Sequence, residues 1–371
     1  MKRLISLILG LTVLFTFISA GCAESGSDTI AMVKVPVDAQ DMRLAQCMVP
    51  QGYTVTPRLD ICGDTRSVTD PLGLAIIATS PDGRIMMSYE KSNAYIQIVS
   101  STIGGKTYRT HTDGKYDVET MTMMAQYMQP AAYAQSYLNG VFPGVQMTFA
   151  GSMDLSEYQP YLQKRAEAYY RDLKAPHPEA VGVNIDGVAI NAAICGFTCE
   201  MNGEAYNIVV GTVIEATQMT MSMSLLQGGL SETEVLWSPL CTYVLACPAS
   251  ESSSVLSAFE IFMKNTTVSD QFTKANQRLA NELRQIIVDG RMGSARNYSA
   301  GVLSDSISSG DSYDDERFTD YIFDQNDYTL SDGTHVKIPT SYDYVYEGDN
   351  NVVYFSTSAF PEPGTRLTPN R

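Results

Sequence analysis

Between about Thr29 and Gly114, short runs of alternating hydrophobic and polar residues are separated by turn residues. Residues 75–79 and 85–89 are two such runs, and Ser-Pro-Asp-Gly at residues 80–83 lies between them. Proline at the second position of a tetrad and glycine at its end are typical of a tight turn. The pattern predicts a β-hairpin at this point, within a strand-rich region.

Helical spacing follows this region. Asp117 is positioned to cap a helix that starts near Val118. Pro130 should end or kink that helix, because proline lacks an N–H group and clashes with the preceding turn. Apolar residues three and four positions apart predict the remaining helices, over residues 131–138, 155–173, 254–264 and 270–288.

An antiparallel meander is predicted between these helices. Asn-Gly at residues 202–203 lies between apolar runs and is among the strongest hairpin signals, because both central residues of such a turn need positive φ. Asp-Gly at residues 186–187 is interpreted as a second turn. The predicted strands cover residues 181–194, 197–201, 206–217 and 240–246.

The N-terminal segment has the composition of an export signal. Lys2 and Arg3 precede an apolar run over residues 4–18, and small residues follow the run. A run of this length fits a secretory signal better than a membrane span, which takes about 20 residues. The protein is therefore expected to be exported.

The end of this signal is similar to a lipoprotein processing site. Ser19-Ala-Gly-Cys22 resembles the bacterial lipobox, in which the cysteine after the cut is acylated, although Ser19 stands where leucine is usual. The sequence predicts a signal peptide over residues 1–22, with Cys22 as the candidate lipid anchor. Cleavage after Ala20 or Ala23 by an ordinary signal peptidase is the alternative.

Charge and composition restrict the partners. Loss of Lys2 and Arg3 with the signal peptide takes the net charge from −16 to −18. Nucleic acid is not an expected partner, because phosphate backbones need basic patches and the chain has no clustered run of Lys or Arg. The expected partner is an envelope protein or a small ligand, with the membrane reached through the lipid anchor. No cofactor is predicted.

The cysteines outside the signal are candidates for disulfide bonds, because an even number at short separations favours pairing in an oxidising compartment. Local pairing of consecutive cysteines is the simplest prediction, and buried free thiols are the alternative. A zinc site is not predicted, because no histidine lies close in sequence and the spacing is not that of a zinc knuckle. The six are Cys47, Cys62, Cys195, Cys199, Cys241 and Cys247.

Few residues suggest catalysis or metal binding. His111 is a candidate base, although a lone histidine in a polar hairpin is typically exposed. The acidic run over residues 311–316 lacks the ligand spacing of a calcium loop. Three thioethers would suit Cu(I) on one strand face, or would simply pack there; they belong to Met219, Met221 and Met223. No catalytic or metal-binding residue is assigned from the sequence.

The N-terminal part resembles the PsbP/Mog1-type family. The resemblance rests on Val-Pro-Gln-Gly-Tyr at residues 49–53, on the turn at residues 80–83, and on a helix followed by the meander over residues 180–217. It implies an α+β fold in which helices lie on both sides of an antiparallel sheet. It also implies a binding or assembly role, and no catalytic residues carry over from it.

The predicted organisation has four parts after the signal peptide. An α/β sandwich domain covers residues 29–250, a helical segment 251–298, a Ser- and Asp-rich linker 299–315 and a small β-rich module 316–371. The sequence favours an exported, membrane-tethered protein of non-enzymatic binding or assembly type. The alternative is a secreted hydrolase that uses carboxylates from separate strands.

Overall fold

The computed structural model describes residues 30–39, 41–61, 70–117, 122–174, 183–223, 229–292, 325–339, 342–349, 352–357 and 364–370. Its strands are β1 (Ile30–Ala39), β2 (Met42–Pro50), β3 (Thr54–Ile61), β4 (Leu72–Thr79), β5 (Met86–Lys91), β6 (Tyr95–Ile103), β7 (Lys106–Thr107), β8 (Tyr116–Asp117), β9 (Thr122–Met124), β10 (Thr148–Ser152), β11 (Val183–Met201), β12 (Glu204–Met223), β13 (Leu230–Pro248), β14 (Thr267–Val268), β15 (Gln325–Thr329), β16 (His335–Pro339), β17 (Tyr344–Glu347), β18 (Val352–Ser356) and β19 (Thr365–Arg366). Its helices are α1 (Pro130–Val141), α2 (Gln159–Lys174), α3 (Ser252–Asn265) and α4 (Asp270–Met292).

A long antiparallel meander forms the centre of the large sheet. β11, β12 and β13 contain 19, 20 and 19 residues, so the meander is roughly 60 Å long at about 3.3 Å per residue. One end carries the turn at residues 202–203, and β13 pairs with β5 there. We call this the proximal end. At the other end, the distal end, β13 pairs with β6.

Helices cover both faces of the large sheet. Helix α1 packs on one face, which we call face A, through Ala134 and Leu138 against the side chains of Phe197 and Val210. Helix α2 packs its apolar stripe on the opposite face, face B, where Leu162 contacts the strand residues around Ile190. The mostly antiparallel strands with four described helices confirm the predicted α+β class, and the finer PsbP/Mog1-type sandwich stays a prediction.

Helix α3 lies in the largest core, between face B and a second, smaller sheet. Its side chains at Phe259, Ile261 and Phe262 are all almost fully buried, which requires contacts on several sides of the helix. Each such side chain contributes about 1.5–3 kcal/mol on leaving water. The core at the proximal end therefore derives most of its stability from apolar burial.

The small sheet joins the two ends of the chain. Its strand order is β14-β2-β1-β18-β17-β19, and Ile30 in β1 lies opposite Phe355 in β18. The sequence-based boundaries at residues 250 and 316 thus separate strands that share one sheet and one core. The hairpin β15–β16 docks on helix α3, where the side chain of Asn265 bonds both the N–H and the carbonyl of Lys337 at 2.8 Å.

Two predicted elements are wrong in detail. The helix expected from Val118 to Pro130 is absent from its described part, where Thr122–Met124 forms strand β9 beside β6 instead. Asp117 does not cap a helix, because its carboxylate binds Arg109. The turn expected at residues 186–187 is a bulge within the continuous strand β11. The Asn-Gly hairpin is confirmed, with φ of 53° and 79° at residues 202 and 203.

Local disulfide pairing is also wrong where the structure describes both partners. Cys195 and Cys199 are four residues apart on strand β11, and Cys241 and Cys247 are six apart on strand β13. At about 3.3 Å per residue, these separations exceed the roughly 7 Å limit between the Cα atoms of a disulfide. Cys47 is a free thiol, as are Cys195, Cys199 and Cys247. Cys62 and Cys22 lie outside the described residues.

Candidate functional site

A buried ion cluster occupies face B at the distal end. Arg109 donates from Nε to Glu232 at 2.7 Å and from Nη1 to Asp117 at 3.0 Å, and its Nη2 bonds Glu234. Its side chain is 9% exposed, and those of the three carboxylates are 3–6% exposed. We call these four residues the Arg109 cluster.

The strand pattern explains why these carboxylates meet. Side chains on a strand alternate between faces, so Glu232 and Glu234 of β13 project from face B side by side. Across the sheet, Glu232 lies opposite Ser101 of β6 and Met221 of β12. The Ser101 hydroxyl is buried and has no hydrogen-bond partner in the described structure. An apolar side chain and a weakly polar one therefore flank the cluster across the sheet.

The chemistry of the cluster is that of an enclosed ion network. Two buried glutamates share one guanidinium, and removal of three carboxylates from water is costly unless a cation and hydrogen bonds compensate. Arg109 supplies both. A carboxylate-based hydrolase needs two carboxylates that a substrate can reach, with room between them for a glycosidic bond. The enclosed position of Glu232 and Glu234 does not provide that access.

His111 is held in place by both ring nitrogens. Its Nδ1 accepts from the N–H of Ile98 at 3.3 Å, so the proton lies on Nε2, which donates to Asp113 at 2.8 Å. This bond and the N–H of Gln126 lower the pKa of the Asp113 carboxyl. A general base needs a free lone pair, and here the lone pair of His111 is occupied by the backbone. The ring fastens the segment before strand β8 to strand β6.

Two of the three methionines singled out in the sequence lie beside the Arg109 cluster. Met219 is opposite Glu234 and Met221 is opposite Glu232, all on face B, and Met219 is buried. Packing beside the ion network accounts for these two thioethers. The described residues contain no group of three or more His, Cys, Asp or Glu side chains that could hold a metal ion.

The other side of the same strands carries a regular set of hydroxyl groups. Pairing across β12, β13 and β6 aligns two rows of three residues on face A, and each row contains only serine and threonine. We call these six residues the hydroxyl array. The rows are Thr220, Thr233 and Ser100, and then Ser222, Ser231 and Thr102.

An aromatic cluster separates this array from helix α1. The Trp237 ring stacks on Tyr95 with centroids 4.7 Å apart, and the edges of Tyr127 and Tyr133 approach it at 6.0 and 6.1 Å. Its indole N–H donates to the carbonyl of Ala125 at 3.0 Å. The four rings pack against one another and fill the space under helix α1. The part of face A on the far side of the rings is not covered by this helix.

The proximal end gathers the start of strand β1 and several turns. The carbonyl of Ala31 accepts from the N–H of Gln51 at 3.0 Å, beside the turn that continues into strand β3. Arg84, in the turn after strand β4, bridges Glu204 at the start of strand β12 at 2.5 Å and Glu251 after strand β13 at 3.0 Å. The described chain therefore begins at the end of the molecule opposite the hydroxyl array.

Burial suppresses ionisation of the thiols. It raises the pKa of Cys47 and of Cys247 to about 12, and that of Cys195 to about 11. The thiolate is the nucleophile and the metal ligand, so these cysteines are chemically inert at neutral pH.

An open groove lies at the tip of the β1–β2 hairpin, with a volume of about 730 Å³. Asp38 pairs with Arg43 across it, and the Ser269 hydroxyl bonds the Arg43 carbonyl and accepts from the N–H of Phe272. These contacts join the hairpin to the start of helix α4. The residues that line the groove therefore hold the start of that helix in place.

The sequence reasoning missed both distal features. Arg109 gives no local signal, because its partners come from strands β8 and β13. The alternation of Glu with Ser and Thr over residues 231–234 was the available sign of one buried and one open face.

Among the described residues, no helix is long and apolar enough to cross a membrane.

The comparisons with known proteins do not assign the chain to a family. No family model matches the chain, and no curated protein matches it. One solved structure that is similar is the crystal structure of LpqN, involved in cell envelope biogenesis of Mycobacterium tuberculosis. It is 11% identical, covers 64% of this chain and 91% of its own, and has a TM-score of 0.17. The resemblance to the PsbP/Mog1-type family stays a prediction.

Proposed function

We propose that this protein acts outside the cytoplasm as a binding or assembly module of the cell envelope, without enzymatic activity. In this proposal acylated Cys22 tethers it to the outer face of the membrane. The export signal and the lipobox-like Cys22 support the location. The partner is another component of the envelope.

The observation that carries the proposal is where the described chain begins. Ile30 lies at the proximal end, and the seven residues between it and Cys22 reach at most about 28 Å when fully extended. A lipid on Cys22 would therefore hold the proximal turns close to the bilayer. The distal end, about 60 Å away along the meander, would remain free to meet a partner.

The tether is tested by fractionation of cells that express the full chain. The wild-type protein is expected in the membrane fraction with diacylglycerol on Cys22 by mass spectrometry, and Cys22→Ser in the soluble fraction or the medium. A Cys62→Ser variant controls for loss of a cysteine elsewhere. A mature N-terminus at Glu24, or an unmodified Cys22, would contradict the tether.

The binding role is tested by pull-down from envelope extracts, combined with melting of the purified protein in the presence of extract fractions. A specific partner and a raised Tm are expected. Recovery of no partner, together with an unchanged Tm, would count against the binding role. Hydrolysis of an envelope polymer by the purified protein would favour the enzyme alternative.

A further inference from the structure

We infer that the hydroxyl array binds an uncharged polysaccharide of the cell envelope. This inference rests on the proposed binding role and names the class of its ligand. The array lies on face A of three neighbouring strands, at the distal end and beyond the aromatic cluster that closes the core under helix α1.

The spacing of the array is set by the sheet. Neighbouring strands are about 4.8 Å apart, and residues on one face recur about every 6.8 Å along a strand. Each row therefore presents three hydroxyl groups at nearly regular intervals. Thr220 and Thr233 confirm the alignment, since their hydroxyl oxygens are 3.5 Å apart. Thr220 already donates to Asp186, and Thr102 donates to the Ser231 carbonyl. The three serine hydroxyls can each donate and accept, which suits a ligand that itself carries repeated hydroxyl groups.

The array is open to solvent. Ser100, Ser222 and Ser231 are exposed, and the three threonines beside them are half-buried. Val99, the extra residue of a bulge in strand β6 next to Ser100, is 55% exposed. This part of face A is thus a broad, shallow surface and not a pocket for a small molecule.

The lack of charged residues in the array and the negative net charge of the protein favour an uncharged ligand. The protein carries a net charge of −16, yet every residue of the array is uncharged. One acid borders the array: Asp186 in the bulge of strand β11 accepts hydrogen bonds from Thr220 and Asn184 at 2.5 Å each. An anionic polymer would be repelled by the surrounding surface, whereas a neutral glycan would not.

The Arg109 cluster lies directly behind the array. Ser231 and Thr233 alternate along strand β13 with Glu232 and Glu234, whose carboxylates Arg109 fixes on the other face. A support of this kind holds the hydroxyl groups in one geometry before the ligand arrives, which lowers the entropy lost on binding. Contacts through hydroxyl groups are individually weak, so affinity for a long polymer would come from many copies of the repeat.

The test is binding of the purified mature protein to defined neutral polysaccharides. Sedimentation with insoluble cellulose and chitin, and retardation in native gels that contain dextran, are expected to show binding to at least one of them. Polygalacturonate, which is anionic, is expected to bind at least about tenfold more weakly. Binding to none of the neutral polymers would overturn the inference.

Two threonine-to-lysine substitutions compare binding at the array with binding elsewhere on the surface. Thr233→Lys places a charge and a long side chain in the first row and is expected to weaken binding at least about tenfold. Thr148→Lys, on exposed strand β10, is the matched control and is expected to bind like wild type. Equal binding by the two variants would overturn the inference. Melting curves confirm that both are folded.

A second copy of the chain is the competing occupant. Light scattering of the purified protein is expected to give the mass of a monomer. A dimer that Thr233→Lys dissociates would show that the array is a self-interface and would overturn the inference. The proposed binding role can survive that result, because it is measured separately by partner recovery from envelope extracts.

Discussion

The two ends of the long meander are stabilised by different interactions. At the proximal end, face B is covered by helix α3, and the core between them consists of buried apolar side chains. At the distal end, the ion network of Arg109 and three carboxylates lies on the same face, with the buried side chain of Met219 beside it. A buried ion network adds little net stability over an apolar core, because desolvation offsets most of the attraction. The distal end therefore gains fixed geometry more than stability.

The largest expected effect is at the proximal core. Phe262→Ala should destabilise the protein by about 4 kcal/mol, because it leaves a cavity in a core that cannot collapse fully. The midpoint of urea denaturation measures this. Val141→Ala, at the exposed end of helix α1, is the control and should stay close to wild type. A small effect of Phe262→Ala would mean that α3 is not central to the core.

Arg109→Met should cost about 3 kcal/mol, because it leaves three buried carboxylates without a cation. Hydrogen exchange should rise mainly in strands β6 and β13 at the distal end. Glu232→Gln with Glu234→Gln in the same background should restore part of the stability, since the repulsion is then removed. Arg278→Ala, which breaks a fully exposed pair with Glu282, should have no measurable effect. Equal behaviour of the two arginine variants would contradict this account.

Asn265→Ala should destabilise by about 2 kcal/mol, because the N–H and carbonyl of Lys337 lose their partner beside the buried helix α3. Protection from hydrogen exchange should fall in the hairpin β15–β16. Asn265→Asp keeps the acceptor for the Lys337 N–H but turns a carboxylate oxygen towards the carbonyls of Lys337 and Ile261, so it should lose at least as much. This variant sharpens the comparison, because it shows how far the proximal end also depends on polar contacts.

The effect of the buried thiols is smallest at neutral pH and appears only as the pH is raised. Burial raises the pKa of Cys47 and of Cys247 to about 12, from the 9.0 that is ordinary for a thiol. The neutral thiol is favoured in the folded state, so its contribution is complete below about pH 9 and is lost as pH rises towards 12. Each thiol adds a slope of up to about 1.4 kcal/mol per pH unit. Urea unfolding at pH 8–11 should show this fall, and Cys47→Ala should flatten it.

Thiol titration gives an independent check on the same residues. The thiols of Cys47, Cys195 and Cys247 should react with a thiol reagent only after denaturation, because they are buried and protonated at neutral pH. Rapid labelling of these three cysteines in the native protein, located by mass spectrometry, would contradict their enclosed position.

Sequence reasoning predicted what depends on local pattern. The hairpin at residues 80–83, the Asn-Gly turn and the amphipathic helices were set by neighbouring residues and are confirmed. Thr122–Met124 was expected to be helical, but pairing with strand β6 overrides that spacing. Local pairing of Cys195 with Cys199 and of Cys241 with Cys247 fails, because closeness in sequence along an extended strand means separation in space. Pairing of Cys47 with Cys62 stays a prediction, because Cys62 lies outside the described residues.

Features that need distant partners could not be predicted. Arg109 meets Glu232 only because a segment between strands β7 and β8 folds over the end of β13. The hydroxyl array required the register of three strands, since a shift by one residue would move every hydroxyl to the buried face. Alternation was visible in residues 231–234, but its alignment with residues 100–102 was not.

The pairing of the first described strand with one near the other end of the chain bears on when the protein can fold. Strand β1 is bordered by β2 on one side and by β18 on the other, so the small sheet stays incomplete until the last part of the chain is available. Contacts between such distant segments slow folding and leave strand edges exposed for longer. A nascent chain of this topology therefore stays incompletely folded while it is being made. The small sheet closes only after almost all of the chain has left the ribosome.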